Sequence, residues 1–339
     1  MKTPFFLLFL AIVSCVHQGQ KYGAADGVEA ADGLSAISAE IVAVPLETNE
    51  CCRVGEVRQV QCDGQALFVR SENGIYRFDR TGKFRNRLPI QAGRHISDFA
   101  LNVDRKQVMV LDSEQQLHCF TYGGQALFRL DPGKDAPWQT ILDMACYKGS
   151  LWIAVERLMP DSHFEKRLVR MDLSGQAEEE YRLTEVDLGR FALCGSYSLE
   201  LSVAGNSVYA YAPFSSKETV LRDTLHLLAS HRLPPAGEPG TSLVMPVRTS
   251  GRFLIASYGE NVSEGENYLF LYDRAKAKTY PLHGFRDDFY QTGLVKNLQP
   301  LDMYGHEYCY CKSGKEVAGA FPERNETANP VLFLLKLMA

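Results

Sequence analysis

The chain lacks the sequence motifs of the common enzyme classes. It has no Gly-x-Ser-x-Gly nucleophile elbow, no Gly-x-Gly-x-x-Gly fingerprint, no phosphate-binding loop and no His-Glu-x-x-His pair. It also has no Cys-x-x-Cys pair, so a zinc site built on paired cysteines has no ligands to use. The sequence therefore predicts no cofactor and no metal.

Extended helical periodicity, a long apolar run and an excess of basic charge are missing as well. The 36 basic and 41 acidic side chains give a formal net charge of −5. This balance offers no electrostatic attraction for nucleic acid or for anionic lipid. Because helical periodicity is absent over any long window, an α/β architecture has little support. The composition predicts an all-β globular protein that does not bind nucleic acid.

The sequence does contain a repeat of short apolar strands separated by polar turns. Five copies end in a marker residue, at positions 79, 121, 172, 223 and 273, which are 42, 51, 51 and 50 residues apart. In the clear copies, an Asp can accept a hydrogen bond from backbone two residues on, and a following Gly can take a positive φ. We therefore interpret Asp79 and Asp172 as turn residues rather than ligand contacts. A period of this length, built only from strands, is typical of a β-propeller.

The repeat predicts six units and a way to close them. Five units lie at about 57–89, 96–130, 141–183, 199–233 and 243–282, and the sixth starts near residue 294. The strand at 41–46 has no partner before it, and the strand at 332–337 has none after it. Pairing the two would remove two exposed strand edges. The predicted fold is an all-β, six-bladed β-propeller over residues 39–339, closed by pairing of its N- and C-terminal strands.

Residues 1–14 have the features of a signal peptide for a lipoprotein. Lys2 precedes an apolar run at 5–13, and Cys15 follows directly. The sequence Ile-Val-Ser-Cys at 12–15 is similar to a bacterial lipobox, which predicts lipidation of Cys15; an ordinary secretory signal is the alternative. Residues 15–38 are rich in Ala, Gly, Asp and Gln and predict a flexible tether with a span of about 26 Å. An amphipathic helix is the alternative for this segment.

Eight cysteines remain after Cys15, and their spacing favours free thiols. Cys309 and Cys311 lie two apart on one predicted strand, with parallel side chains at the edge of disulfide range. Cys51 and Cys52 are adjacent and could pair only in a strained ring. A bond between Cys51 or Cys52 and a cysteine of the last unit, near Cys309, stays open.

Several segments resemble one bacterial family. The segments at 75–84, 96–100 and 108–112 and the ending at 329–337 are similar to those of the six-bladed β-propeller lipoproteins of Bacteroidetes, which in turn resemble NHL-type propellers. The resemblance covers residues 39–339 and the lipobox. It implies a lipid-anchored propeller in the cell envelope with no established reaction. The chain departs from the family at Gly93-Arg94-His95, where members often carry a Gly-Pro-Gly-Glu-like turn.

One face of the predicted propeller is the candidate binding surface. The connections between units and the loops between second and third strands share this face, and loops carry function more often than the scaffold. Exposed aromatic and arginine side chains are typical of interaction surfaces. The candidates are Arg94, His95, Trp138, Arg157, Phe164, Tyr258, Arg286 and Tyr290. For Trp138 and Tyr290, plugging the axial channel or sealing neighbouring units is the alternative.

Four further expectations concern residues near this face. The segments at 156–166 and 258–267 are predicted as long loops. Asp287 and Asp288 are predicted in a solvated loop. We interpret His118 as a hydrogen-bonded packing residue rather than a ligand.

The sequence favours a non-enzymatic ligand- or protein-binding scaffold in the cell envelope. The residues after Cys15 lack the acidic run of a surface-export signal, which predicts an outer-membrane lipoprotein facing the periplasm. Its partner would be an unknown protein or glycan, and it would contact the membrane only through its lipid anchor. The alternative is a carbohydrate-active hydrolase or lyase on the axial face. Two carboxylates with raised pKa values in one axial pocket would favour that alternative.

Overall fold

The computed structural model describes most of the chain from residue 33 onward. The described residues are 33–90, 94–131, 140–160, 163–187, 200–204, 207–212, 219–222, 225–229, 243–249, 253–259, 267–273, 275, 278–282, 285–295, 298–301 and 307–338. They form 26 strands, a 3-10 turn at Leu34–Ala36 and a short helix α1 at Gly314–Val317. The described part of the chain is thus all-β, as the composition predicted.

The first three sheets each contain four antiparallel strands in sequence order. Sheet 1 comprises β2 (Val57–Cys62), β3 (Ala66–Ser71), β4 (Gly74–Asp79) and β5 (Phe84–Arg87). Sheet 2 comprises β6 (Ile96–Asn102), β7 (Gln107–Asp112), β8 (Leu117–Thr121) and β9 (Ala126–Leu130). Sheet 3 comprises β10 (Thr140–Tyr147), β11 (Ser150–Leu158), β12 (His163–Met171) and β13 (Ala177–Asp187).

Three further four-stranded sheets follow, the last of which includes the first strand of the described residues. Sheet 4 holds β14 (Glu200–Ala204), β15 (Ser207–Ala212), β16 (Thr219–Arg222) and β17 (Leu225–Ala229). Sheet 5 holds β18 (Leu243–Thr249), β19 (Phe253–Gly259), β20 (Asn267–Asp273) and β21 (Lys278–Leu282). A hairpin of β22 (Phe285–Asp287) and β23 (Gly293–Val295) comes next. Sheet 6 combines β24 (Gln299–Pro300), β25 (Glu307–Lys312) and β26 (Val331–Leu337) with β1 (Ser38–Pro45).

The first strands of successive sheets lie side by side. Strand β24 contacts β2, β2 contacts β6, β6 contacts β10, and β10 contacts β14. Buried apolar clusters bridge the same neighbours: one spans sheets 1 to 3, a second joins sheets 6 and 1, and a third joins sheets 3 and 4. Sheets packed face to face around their first strands are the arrangement of a β-propeller.

The predicted hairpin turns are confirmed in sheets 1 and 3. Asp79 Oδ1 accepts hydrogen bonds from the backbone N–H groups of Thr81 at 2.9 Å and Lys83 at 3.1 Å. Asp172 Oδ1 accepts from Ser174 and Gln176 in the same way, each at 2.9 Å. The glycines that follow, at 82 and 175, have φ values of 85° and 89°. These aspartates therefore shape turns, because side-chain oxygens replace the backbone partners that a tight turn leaves unpaired.

The two ends of the described chain pair with each other in sheet 6. Strand β1 runs antiparallel to β26, from Ile41 opposite Leu335 to Pro45 opposite Val331. This is the pairing that the sequence predicted for the two segments. It places a strand from residues 38–45 beside one from residues 331–337, so that one sheet is completed from both ends.

Two predictions about local structure were wrong. The 3-10 turn and Ile37 are packed, with Leu34 at 0% and Ile37 at 2% exposure, so packing begins before residue 39. Most of 156–166 continues strands β11 and β12, because their backbones stay paired out to Leu158 opposite Phe164. The connection predicted at 258–267 is shorter at both ends, because β19 extends to Gly259, which pairs with Asn267; residues 260–266 lie outside the described part. Sheet 4 differs from the first three sheets, because its order is β14-β15-β17-β16 with β15 parallel to β17.

Candidate functional site

One end of sheets 1 to 3 gathers polar side chains, and we call it the loop end. It is the edge where β2, β6 and β10 begin and where β3, β7 and β11 end. The sequence predicted the binding face at these connections. Two groups of side chains lie there: a cluster around Asp112 in sheet 2, and a group on the first strands around Asp98 and Asp143.

Asp112 is the anchor of the cluster in sheet 2. It ends β7, and its side chain is 0% exposed. Its Oδ1 accepts the backbone N–H groups of Glu114 at 2.9 Å and Gln116 at 3.0 Å, which forms the turn into β8. Its Oδ2 accepts from His118 Nε2 at 2.8 Å and from the Arg94 guanidinium. Both oxygens are therefore used, one for the turn and one for two basic side chains.

The pKa of Asp112 shows which effect dominates at this carboxyl group. Burial would raise its pKa, but the hydrogen bonds from His118, the Gln116 backbone, Arg94 and the Glu114 backbone together lower it. Asp112 is thus a carboxylate at neutral pH. The His118 nitrogen that faces it must carry a hydrogen, which fixes the tautomer of the imidazole.

Arg94 is held in one orientation by three acceptors. Besides Asp112, it donates to Gln116 Oε1 at 3.0 Å and pairs with Glu114 Oε2 at 3.0 Å. Its side chain is 18% exposed and that of His118 is 19% exposed. The Arg94 guanidinium and the His118 imidazole are thus fixed on one buried carboxylate, and each is partly open to solvent. They are preorganised to receive a ligand that carries hydrogen-bond acceptors.

The second group lies on the first strands of sheets 1 to 3. Each strand has a register irregularity near its start, immediately before Gln59, Asp98 and Asp143 respectively. Such bulges re-aim side chains and are common beside functional sites. Gln59 Nε2 donates to Asp98 Oδ1 at 2.9 Å and to the Phe99 carbonyl at 3.3 Å, which joins β2 to β6.

Asp98 and Asp143 form an acid pair between β6 and β10. Burial, first of all, raises the pKa of Asp98 and raises that of Asp143 well above its ordinary 3.8. The charge of Asp98 raises the pKa of Asp143 further, and the two carboxyl groups are within hydrogen-bonding reach of each other. Asp98 Oδ2 is buried without an N–H donor among the described residues. One proton shared by the pair accounts for both observations, because two adjacent, half-buried carboxyl groups repel each other when both are ionised.

Backbone donors hold the second member of the pair in place. Asp143 Oδ1 accepts from Met144 N at 2.8 Å, and Oδ2 accepts from Leu201 N of β14 at 2.7 Å. Asp143 therefore links sheet 3 to sheet 4 as well as to sheet 2. The guanidinium of Arg70, which donates to the carbonyls of Ile96 and Ser97, lowers the pKa of Asp98 by its charge without reversing the effect of burial.

The predicted site residues are distributed over several sheets. Arg94 and exposed His95 stand before β6, and partly exposed Arg157 lies on β11, paired with Glu165 across the hairpin. Phe164 and Tyr258 lie within β12 and β19, where their backbones pair with Leu158 and Tyr268, and their side chains lie outside the described part. Trp138 and Cys15 lie outside the described residues.

Arg286 and Tyr290 belong to the β22–β23 hairpin rather than to the loop end of sheets 1 to 3. Arg286 is exposed. The Tyr290 ring packs against Phe333 at 5.3 Å and Phe321 at 5.8 Å. These contacts favour the sealing role that the sequence left open for Tyr290. Asp287, expected in a solvated loop, is 1% exposed and accepts the N–H groups of the turn that follows.

Sequence reasoning missed Asp98, Asp112 and Asp143 as members of a site. For Asp112 a signal was present, because Asp112 and His118 flank a tight turn and so face each other. The expectation that His118 is hydrogen-bonded in its strand is confirmed by its bond to Asp112. No comparable signal marks Asp98 and Asp143, since the 44 residues between them include three strands of sheet 2.

The free thiols that the sequence favoured are confirmed at five of the described cysteines. These are Cys51, Cys52, Cys62, Cys119 and Cys146. Burial raises the pKa of Cys52 to about 11 and that of Cys146 to about 12. Thiols with such pKa values stay protonated and behave as small apolar side chains.

Comparison with known proteins gives a fold but no family. No family model and no curated protein matches the sequence. The crystal structure of a presumed exported protein from Bacteroides fragilis NCTC 9343 superposes with a TM-score of 0.64 at 17% identity, covering 92% of this chain and 98% of the other. The chain therefore shares the fold of that protein.

Two other solved structures superpose less well, and we base no conclusion on them. A protein of unknown function from Bacteroides caccae gives a TM-score of 0.39 at 12% identity, covering 73% of this chain and 82% of the other. The WD40 β-propeller domain of Doa1 gives 0.41 at 9% identity, covering 81% and 79%. Within the part of the chain that the structure describes, no helix has the length and apolar character needed to cross a membrane.

Proposed function

We propose that this protein is a cell-envelope lipoprotein that binds a protein or glycan partner at the loop end of sheets 1 to 3, without catalysing a reaction. In this proposal Cys15 carries the lipid, residues 16–32 form the tether, and the protein faces the periplasm from the outer membrane. The six four-stranded sheets are the blades of one ring, closed by β1 and β26.

The observation that carries the proposal is the pair of basic side chains held by Asp112. Arg94 and His118 share one buried carboxylate oxygen and remain partly exposed at the loop end. Holding them in place before a partner arrives reduces the ordering cost of binding. Arginines at such positions are frequent hot spots. The export designation of the Bacteroides fragilis protein with the same fold supports the envelope location.

A partner-capture experiment with matched variants tests the binding surface. The acylated protein is cross-linked in intact envelopes, and partners are quantified by mass spectrometry. Arg94→Ala is expected to reduce recovery about tenfold, since hot-spot truncations cost more than 1 kcal/mol. Arg85→Ala is the control, because Arg85 also pairs with a turn aspartate, Asp79, but at the other end of sheet 1. Equal recovery with both variants would contradict the proposal.

The location has its own test. Protease treatment of intact cells should leave the protein uncut, whereas treatment after opening the outer membrane should digest it. Rapid digestion in intact cells would place the protein on the cell surface and overturn the periplasmic part of the proposal. Mass spectrometry of the mature N-terminus checks acylation of Cys15.

A carbohydrate-active hydrolase or lyase is the second candidate function, and the acid pair is the observation that favours it. Asp98 and Asp143 are two carboxyl groups with raised pKa values on the first strands. Glycosidase carboxyl groups, however, stand about 5–5.5 Å or about 6.5–9.5 Å apart, whereas this pair is in hydrogen-bonding reach. Turnover on a glycan panel that disappears in Asp98→Asn would establish the enzyme; absence of turnover in the wild type would exclude it for those glycans.

A further inference from the structure

The β22–β23 hairpin presents apolar side chains to solvent at the place where the N-terminal segment reaches the folded part. Phe289 is 38% exposed and Leu294 is 43% exposed. Arg286, directly opposite Leu294 in the hairpin, is also exposed. The described chain begins at Gly33, and Ser35 donates from its backbone to Asp288 Oδ1 at 3.1 Å.

The backbone of β1 is bonded to this hairpin on both sides of another exposed apolar residue. Val42 of β1 is 47% exposed. Tyr290, the neighbour of Phe289, donates through its hydroxyl to the Ile41 carbonyl at 3.1 Å and accepts from Ala43 N at 3.3 Å. Tyr290 thus binds on both sides of Val42. The side chain of Val42 itself lies on the other face of β1, because it alternates along the strand with Ile41 and Ala43, which pack in the same cluster as the hairpin. The exposed apolar side chains of this corner are therefore Phe289 and Leu294, while Leu127 and Leu158 lie on sheets 2 and 3.

The hairpin is firmly held, so the exposure of its apolar residues is built into the fold. Phe285 and Val295 are 3% and 2% exposed in the cluster that packs on sheet 6. Lys312 Nζ donates to the Leu294 carbonyl at 2.6 Å. Asp287 accepts the backbone N–H groups of Phe289 at 3.1 Å and of Tyr290, which fixes the turn. Single exposed apolar residues need no explanation, but a fixed group beside the tether does.

We propose that Phe289 and Leu294, with Arg286, form a membrane-facing corner that rests on the lipid bilayer, so that the protein contacts the membrane here as well as through the anchor that the sequence predicted as its sole contact. The inference rests on the proposed lipid anchor, because a tether from Cys15 would arrive at this corner. As a flexible chain, the 17 residues at 16–32 span about 23 Å, so the hairpin is within reach of the bilayer. The apolar side chains would enter the interface, and Arg286 would meet lipid phosphate groups.

A lipid surface suits this corner better than a protein partner. Stable protein interfaces bury about 800 Å² on each partner with good complementarity, which two partly exposed apolar side chains do not supply. A bilayer needs no matching shape. The tether also keeps the corner at a high effective concentration near the lipid, so weak contacts are enough to orient the head.

Hydroxyl-radical footprinting of the mature protein tests the proposal, with Leu127 as the internal reference. Leu127 is 41% exposed on β9, far from the hairpin in the chain. The acylated protein is reconstituted on vesicles of phosphatidylethanolamine and phosphatidylglycerol. We expect several-fold less oxidation of Phe289 and Leu294 than in the unacylated mature chain in buffer, with oxidation of Leu127 unchanged. If the oxidation of Phe289, like that of Leu127, is the same on vesicles as in buffer, the proposal is overturned.

A second arm separates failure of this inference from failure of the anchor. The unacylated chain is attached through an N-terminal His tag to vesicles of the same lipids that contain a nickel-chelating lipid. Protection of Phe289 and Leu294 there supports the membrane-facing corner even if Cys15 proves unmodified. Protection that appears without vesicles and grows with protein concentration would mean that a second copy covers the corner, and would overturn it.

Variants extend the test to binding strength. Untethered mature chain carrying Phe289→Ser and Leu294→Ser should partition into these vesicles about tenfold less than wild type, because each side chain loses apolar contact with lipid. Leu127→Ser is the matched control and should partition like the wild type. If both variants bind equally, the corner does not contact lipid.

Discussion

The polar side chains at two junctions between neighbouring sheets differ in how completely they are hydrogen-bonded. Between sheets 6 and 1, Asn329 is 4% exposed and uses every hydrogen-bonding group of its side chain. Its Nδ2 donates to the carbonyls of Glu47 at 2.6 Å and Cys52 at 2.8 Å, and its Oδ1 accepts from Val54 N at 2.9 Å. Between sheets 2 and 3, Asp98 and Asp143 bring two acids together and leave Asp98 Oδ2 without an N–H donor.

This difference indicates that the two junctions have different roles. A neutral amide with all its bonds made stabilises the junction where the chain ends meet, at every pH. An acid pair costs stability once its shared proton is lost, and groups that lower stability are concentrated at functional sites. The stable junction holds the fold together, and the costly one lies at the loop end where we propose binding.

Removal of β1 should have the largest effect on the first junction. Deletion of residues 38–45 exposes the edge of β26 and removes buried Ile41 and Val44. We expect loss of soluble folded protein, measured by circular dichroism and soluble yield. Deletion of 16–32, which leaves packed Leu34 in place, should not change the melting curve. Equal stability of the two truncations would show that the sheet forms without β1.

Asn329→Ala tests the same junction with one side chain. The substitution leaves the buried N–H of Val54 without its acceptor and removes the donors to the carbonyls of Glu47 and Cys52, so the free energy of unfolding should fall by about 2–4 kcal/mol. Urea titration at pH 7 measures it. Asn325→Ala is the control, because exposed Asn325 bonds only locally, to Thr327. A loss of stability no larger than that of the control would show that the Asn329 side chain does not stabilise this junction.

Asp98→Asn should act in the opposite direction at the second junction. The amide keeps the acceptor at the Oδ1 position and places a donor at the Oδ2 position, which is unpaired among the described residues. We expect about 1 kcal/mol of added stability at pH 8, because one of the two adjacent like charges is gone. Asp104→Asn, at an exposed aspartate in the turn after β6, is the control and should change little. A destabilised Asp98→Asn at pH 8 would contradict the shared-proton description.

Tyr290→Phe should have the smallest effect, and it tests whether the Tyr290 hydroxyl protects the β1 edge of sheet 6. The hydroxyl caps the outer edge of β1 at Ile41 and Ala43. Its removal should cost about 1 kcal/mol and speed hydrogen exchange at the Ala43 amide. Unchanged exchange at Ala43 would mean that the hydroxyl does not protect this edge.

The parts of the fold that follow local rules could be predicted from the sequence. The turns at Asp79 and Asp172 and the pairing of the two terminal strands were predicted, because each depends on local turn chemistry or on an unpaired apolar strand. The β22–β23 hairpin was missed, since its strands are three residues long and Asp287 looks like a surface residue in sequence.

The site was harder to predict, because its members meet only through the packing of sheets. Arg94 was predicted from its place before β6, but its buried partner Asp112 was not. Asp98 and Asp143 come together across two sheets, after a bulge that the sequence does not mark. The long β11–β12 hairpin was read as a loop because its charged residues, such as Glu156 and Lys166, hide the strand pattern.

The most direct test of the contrast between the two junctions is the pH dependence of unfolding in paired variants. The pKa of Asp143 is raised in the folded protein, so its stabilising contribution is complete below the ordinary pKa of 3.8 and is lost as pH rises through the folded value. Urea titrations from acid to alkaline pH compare wild type, Asp98→Asn and Asn329→Ala. The account predicts that the stability gain of Asp98→Asn grows with pH, while the loss in Asn329→Ala stays constant. A difference between Asp98→Asn and wild type that does not change with pH would contradict it.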